Sequence, residues 1–566
     1  MSETASALAA AFRPSTAPLA VSSAVRALVA GGALLLLGLW LGDWDKLGVA
    51  YLGAACSVAF VIGDSYRSRL TALAAQGLGA VVGLVVGGST AGSPLVMIVV
   101  AALAGSASGF VGAAALSGPA FGMMLSIGVA FGQFGGSTLD PAEQAAWYVI
   151  GALAIGVVHV ADWPFRHGSA QRRYAATVCD AAADLCELIG RGDARAARTR
   201  MAAASAQARD AGWDSTTERV AHATAALYAE KQPVPVSVVT TLRTAGMLIR
   251  AGRTVQLAGD WPLTTPGLRA MSRAVAGDGR TPTGPDHGGG RTVLHPLATR
   301  ESAHNAVRMA LCMGVATAIT VALHDPQHSF WLPLTVAVIV RPEYASIFVR
   351  TMNRVAGTLV GALIAAAVLA FWDSGSAVAV AASVGLAFAA LTAPRLYALS
   401  VVGVTLSAIL AASVGGPDTV APLIRMQDTV LGAVIAVLLG YVCWPGARRL
   451  PQQARIDDGL SAAEDYLAEV GVTDRDSRRF VRCRDEAYRR AHGARSACLA
   501  AFAEPPPVPA QAREMLPFAM ELEEIIDEIT SILPAADDAE PPDPVAIDRT
   551  RRRLDRLRAK VSATAR

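Results

Sequence analysis

Residues 70–139 read LTALAAQGLGAVVGLVVGGSTAGSPLVMIVVAALAGSASGFVGAAALSGPAFGMMLSIGVAFGQFGGSTL, and no Asp, Glu, Lys or Arg lies between Arg69 and Asp140. A soluble core has no use for so long an uncharged run. A bilayer does, at about 20 mostly apolar residues per helix. Three spans fit this stretch, near Leu70–Gly87, Pro94–Leu116 and Ala120–Phe134, with Ser117-Gly118-Pro119 as the turn signal between the last two. Working outward, Val21–Leu41 and Leu47–Ile62 precede it and Ala145–Val160 follows it. A second set fits near Ala303–Leu323, Phe330–Val340, Val355–Phe371, Ala377–Leu391, Leu396–Val414 and Thr429–Cys443. Phe330–Val340 is very short, which points to a broken or re-entrant helix.

Composition agrees. Hydrophobic residues make up 53% of the 566 residues and charged residues 17%, below the roughly 25% of soluble domains. The charge is segregated into Arg166–Arg300 and Arg448–Arg566, which read as Ala- and Arg-rich amphipathic helices. The expected fold class is an all-α polytopic membrane protein: two tandem six-helix transmembrane repeats, about 12 spans, with two helical cytoplasmic domains. Its parts are an N-terminus (1–20), a first membrane half (21–164), a helical domain (165–276), a Gly/Pro linker (277–300), a second membrane half (301–445) and a C-terminal helical domain (446–566). The first apolar stretch lacks a small-residue cleavage site and reads as a retained span. The seven cysteines include no C-x-x-C pair, so neither zinc nor a disulfide framework is indicated. A net charge of +3 gives no reason to expect a nucleic-acid partner.

Loop charges orient the spans. With the N-terminus inside, the inner loops hold Arg67, Arg69, Arg166, Arg172, Arg173, Arg341, Arg350, Arg354, Arg395, Arg448 and Arg449. The outer loops hold Asp43, Asp45, Asp140, Glu143, Asp325, Asp373 and Asp418, with Lys46 and Arg425 as cations. This positive-inside pattern places both termini and both hydrophilic regions in the cytoplasm of a cell-membrane protein.

The halves match in order and spacing. Ala24-Val25-Arg26 and Ala306-Val307-Arg308 open their first spans at an offset of 282, and Gly42-Asp43 and His324-Asp325 end them at the same offset. Trp163-Pro164 and Trp444-Pro445 close the sets at 281, and Gly79-x-x-x-Gly83 and Gly357-x-x-x-Gly361 lie near 278. Like-oriented halves imply a pseudo-two-fold axis along the membrane normal. The Gly-x-x-x-Gly pairs read as close helix packing.

The densest motif runs from Phe330-Trp331-Leu332-Pro333-Leu334-Thr335 through Arg341-Pro342-Glu343-Tyr344 to Arg350 and Arg354-Val355-Ala356-Gly357-Thr358. Here the sequence resembles the fusaric acid resistance and aromatic acid exporter family, whose second membrane half carries a similar W-x-P-x-T-V run followed by R-x-x-G-T-x-x-G. Asp428-Thr429-Val430-Leu431-Gly432 and Trp444-Pro445 also look like that family. The resemblance implies a membrane exporter of small organic, aromatic acids, working as a homodimer in the lipid bilayer. Plant aluminium-activated malate transporters look like more distant relatives, which implies an anion channel as an alternative.

Several side chains are candidates for the path. Arg26 and Arg308 sit about one turn inside their spans, either facing the interior as carboxylate forks or snorkelling to the interface. Arg341, Glu343, Arg350 and Arg354 cluster in one loop, as an anion-capture site or an ordinary positive-inside loop. Trp331, beside Thr335 and Tyr344, offers a ring for an aromatic substrate to stack on. His159, near Asp162 and Trp163, is the proton-coupling candidate, against a satisfied interfacial histidine. His324, Asp325 and His328 read as a wet loop in preference to a metal site. With no Walker motif, no nucleophile–base pair and no metal cluster, neither ATP-driven pumping, enzymatic activity nor a cofactor is expected. Three functions fit: a proton-driven exporter of aromatic carboxylates, an anion channel, and a membrane scaffold whose helical domains recruit partners.

Overall fold

The computed structural model describes residues 12, 14–15, 17, 19–58, 66–114, 117–135, 139–161, 169–210, 215–253, 255, 257, 260–276, 300–323, 330–340, 347–372, 375–414, 420–444, 450–472, 477–502, 508–535 and 542–564. Among the described residues every regular element is helical. They fall into two units.

The first unit holds α1 (Val21–Leu41), α2 (Trp44–Val58), α3 (Tyr66–Thr90), α4 (Pro94–Ala114), α5 (Gly118–Phe134) and α6 (Pro141–Val160). It also holds α12 (Arg300–Leu323), α13 (Trp331–Val340), α14 (Ile347–Phe371), α15 (Gly375–Thr392), α16 (Tyr397–Ala412) and α17 (Ala421–Val437), the last continued by a π turn over Leu438–Val442. Eight of these, α1, α3, α4, α6, α12, α14, α15 and α17, are long and apolar enough to cross a membrane. The other four, α2, α5, α13 and α16, are shorter. Outward faces are apolar: Leu36, Leu39 and Trp40 of α1, and Leu363 and Phe371 of α14, are exposed. That suits lipid and would be costly in water.

Local chemistry sets the helix ends. Gly42, at φ +67°, closes α1 by donating its N–H to the Gly38 carbonyl. Asp140 caps α6, accepting from the amides of Ala142 and Glu143, with Pro141 at the first helical position. Pro342, the second proline of the expected broken or re-entrant helix, lies outside the described residues, while the short α13 is continuous over Trp331–Val340. Pro333 lies in its first turn, where the missing N–H would have had no intrahelical partner, and the next amide, Leu334, donates to Phe330.

The packing pattern of α1–α6 recurs in α12–α17. In the first set α1 packs on α2 and α6, α2 on α6, α3 on α5 and α6, and α4 on α5. In the second, α12 packs on α13 and α17, α13 on α17, α14 on α16 and α17, and α15 on α16. Contacts between the sets are reciprocal: α1 with α15 and α4 with α12, then α2 with α16 and α5 with α13. Glycine permits the closest approaches. A Cβ at Gly79 or Gly83 would overlap the carbonyls of Phe121 or Leu125 on α5. One at Gly357 or Gly361 would overlap those of Ala398 or Val402 on α16.

The second unit holds α7 (Ser169–Leu188), α8 (Arg195–Asp210), α9 (Ser215–Glu230), α10 (Val236–Arg250) and α11 (Pro266–Ala276). To these it adds α18 (Leu450–Val470), α19 (Ser477–Ala501), α20 (Val508–Ala535) and α21 (Pro544–Thr564). One core forms within α7–α11, around Leu185, Leu227, Leu242 and Met271. Another forms within α18–α21, around Leu460, Leu522, Ile525 and Leu554. The two groups meet where α9 and α11 pack on α20 and α8 on α19.

Candidate functional site

The side chain that stands out in the first unit is Arg425. Charge counting puts it in an outer loop. The structure corrects this: it lies in α17, just after Pro422, and is only 2% exposed. Its Nη1 donates to the Trp331 carbonyl and to Thr335 Oγ1, each at 3.3 Å. The guanidinium carbon stands 4.2 Å from the Trp331 ring centroid, a cation–π contact. Gly432 packs directly on Thr335, which brings α13 and α17 together. Arg354, buried on α14, adds a second positive charge that bears on Arg425, and Asp428, about one turn along α17, a negative one.

The site is rich in donors. Among the described residues, Nε of Arg425, Nε1 of Trp331 and Nε of Arg354 are buried N–H groups with no hydrogen-bond partner. Among the described residues no carboxylate forms an ion pair with Arg425. A buried cation left this way is costly, and a charge inside a membrane segment marks a functional position. What complements such a site is an acceptor-only anion that can take several N–H bonds, as a carboxylate does.

The positions that correspond by spacing in the first set differ. Gln76 Nε2 donates to Ser57 Oγ at 2.9 Å, and Tyr148 Oη donates to Gln76 Oε1 at 2.9 Å. Ser57 Oγ donates to the Gly53 carbonyl at 2.7 Å. Gln144 Nε2 donates to the Leu139 carbonyl at 3.0 Å, and its buried Oε1 has no partner among the described residues.

Of the candidates named from sequence, Trp331, Thr335 and Arg354 come together around Arg425. Arg350 is buried one turn before Arg354 on α14. Arg308 is half-buried on α12 and donates to the Val340 carbonyl at 3.5 Å. Arg26 is half-buried on α1, which packs on α15, whereas α12 packs on α4. His159 is 2% exposed, its Nδ1 2.9 Å from the Ile155 carbonyl, and its own carbonyl accepts from Arg69 at 3.5 Å. Arg341, Glu343 and Tyr344 lie outside the described residues, as do His324, Asp325, His328, Asp162, Trp163 and the 277–299 linker.

The second unit carries a separate polar network. Arg198 on α8 donates to Asp527 Oδ2 at 2.8 and 2.7 Å and to Glu523 Oε2 at 2.5 Å, both on α20. Arg495 donates to Glu523 at 2.9 Å, and Tyr488 to Asp527 at 3.1 Å. Arg484 pairs with Glu218 and Asp485. Burial pushes the Asp527 carboxyl up to about 6, which Arg198 only partly offsets. For Glu523 burial also acts upward, but His492, Arg198 and Arg495 outweigh it and hold the carboxyl down at about 2. The adjoining cleft is lined by Met201, Tyr228 and Tyr488 together with Arg198, Glu523 and Asp527 of this network.

Residues 311–439 match the family described as fusaric acid resistance protein-like. The matched segment is fusaric acid resistance protein-like. Trp331, Thr335, Arg354 and Arg425 all lie inside it; Arg26, His159 and Arg308 lie outside. Among curated proteins the chain is similar to uncharacterized protein ORF2 of Neisseria gonorrhoeae, 26% identical over 31% of this chain and 43% of that protein. It is also similar to two proteins of Escherichia coli strain K12. With uncharacterized protein YhfK it shares 26% identity over 29% of this chain and 23% of that protein. With inner membrane protein YccS it shares 33% identity over 27% of this chain and 22% of that protein. The chain spans less than half the length of each of these relatives. No solved structure matches. A fusaric acid resistance-like segment and eight helices able to cross a bilayer make the chain an integral membrane protein.

Proposed function

We propose that the protein is a secondary exporter that moves small organic acids, aromatic carboxylates foremost, across the cell membrane at the expense of the proton gradient. The observation that carries this reading is Arg425: a buried guanidinium whose described contacts are a carbonyl, a hydroxyl and an indole face, beside further unpartnered N–H donors. A carboxylate supplies acceptors for these donors and, with Asp428, offsets the charges of Arg425 and Arg354. An aromatic ring attached to it finds Trp331, Phe330 and Phe131, whose rings already touch one another. The fusaric acid resistance protein-like match over residues 311–439 supports transport. In this reading twelve helices form two tandem six-helix repeats, supported by the recurrent packing of α1–α6 and α12–α17. Both termini and the second unit face the cytoplasm, supported by loop charge. His159 is the candidate proton carrier.

A channel is the second reading, favoured by one observation: among the described residues no carboxylate is ion-paired with Arg425, the acid that bears on it being Asp428, about one turn along the same helix. Labelled benzoate uptake into proteoliposomes separates the two. Flux that follows an imposed pH gradient at clamped zero voltage supports the exporter. Flux that follows voltage and ignores the pH gradient supports the channel. No flux of aromatic or aliphatic acids from correctly folded protein removes both.

A further inference from the structure

The corresponding positions of the two helix sets carry opposite polarity. Gln144 and Arg425 follow Pro141 and Pro422 at the same distance, and Gly151 and Gly432 keep that offset of 281. Gly151 packs on the Ala50 carbonyl of α2 as Gly432 packs on α13 near the Leu332 carbonyl. Gln76 and Arg354 share the 278 offset of Gly79 and Gly357, and those glycines pack on α5 and α16 in the same manner. So each arginine of the site has a glutamine in its place on the other side.

The chemistry of the two places differs in kind. Around Arg425 the unpartnered groups are N–H donors. In the first set both ends of Gln76 are bonded, to Ser57 and Tyr148, and the open atom of Gln144 is Oε1, an acceptor. A carboxylate brought there would meet the bonded ends of Gln76 and the lone pairs of Gln144, and no guanidinium of that helix set; the charge that reaches it, through Cys56 beside Tyr148, is that of Arg354. The first-set place therefore has no cation of its own with which to hold an anion.

We infer that the anion site is built in one half only, so that each chain binds a single organic carboxylate at Arg425 and Arg354, while Gln76 and Gln144 keep the corresponding place neutral and empty of anion. This rests on the transport reading above, because it assumes that Arg425 meets the substrate. It adds a stoichiometry and names the residues that set it.

Equilibrium dialysis of labelled benzoate against the purified full-length protein in detergent tests it, with size-exclusion profile and thermal unfolding as checks on folding. One benzoate per chain is expected. Arg425→Gln weakens binding tenfold or more, and Gln144→Met leaves affinity within twofold and stoichiometry at one. Because Arg425→Gln could also disturb packing, Arg425→Lys serves as the second variant: it keeps the charge without the fork and retains part of the affinity. Two benzoates per wild-type chain, or a loss with Gln144→Met equal to that with Arg425→Gln, overturns the one-sided site and leaves the transport reading standing. No binding by folded wild type overturns both.

Discussion

Replacing Arg198 by Met isolates what the polar network of the second unit contributes. The Arg198 side chain is 10% exposed, and its partners Glu523 and Asp527 are 4% and 8% exposed. Methionine keeps most of the volume but removes three charge-assisted hydrogen bonds and leaves two carboxylates together. Breaking a buried ion pair from one side costs about 3–5 kcal/mol, most of it from stranding the remaining charge. At about 1.4 kcal/mol per tenfold change, amides of α8 and α20 that exchange by local opening of this unit should exchange roughly two to three and a half powers of ten faster. Hydrogen-exchange mass spectrometry on the full-length protein reads this by helix, with α3 and α14 as internal references. Adding Glu523→Gln and Asp527→Asn to Arg198→Met should recover most of the protection, since replacing every charged member is far less costly than orphaning some. Acceleration below tenfold in Arg198→Met, or a triple variant no better than the single, would refute the reasoning.

Other outcomes follow from the same structure. Asp527 is raised from 3.8 to about 6, so its contribution to stability is fully present below about pH 4 and is lost as pH rises through 6. Asp527→Asn should flatten the fall in unfolding temperature across that window, read by differential scanning fluorimetry. Glu523, lowered from 4.5 to about 2, contributes above pH 4.5 and loses that contribution as pH falls through 2. Gly83→Leu puts a side chain into the α5 backbone and should abolish monodisperse protein, whereas Gly77→Ala, with nothing within 4 Å, should be tolerated on size exclusion. Trp331→Leu removes a cation–π contact of about 0.5–2 kcal/mol, so benzoate affinity should fall by roughly two- to thirty-fold.

Legibility in the sequence followed the range of the interactions. The helix Val21–Leu41 is readable to the residue because its signals are local: an uncharged apolar run and Gly42-Asp43 at its end. Helix α13 is readable as short, but the placing of Pro333 in its first turn is not, because that depends on where the helix starts. Trp331, Thr335 and Arg354 stand in a recognisable motif. Arg425 was hidden by the charge rule itself, which assigns an arginine near a span end to a loop. The signal that finds it is the match of Ala421-Pro422 to Asp140-Pro141, which starts the helix before the arginine. The Arg198 network had no local signal at all, since its partners are 325 and 329 residues away in the chain.

The central claim is that an organic carboxylate binds at Arg425. Determining the structure of the protein soaked with 4-bromobenzoate, and locating bromine by its anomalous scattering, tests this most directly. The account expects one bromine peak per chain, beside the Trp331, Phe330 and Phe131 rings, with the carboxylate within hydrogen-bond distance of the Arg425 guanidinium. A well-ordered site with no bromine at saturating ligand, or a peak seated beside Gln76 and Gln144 instead, would contradict it.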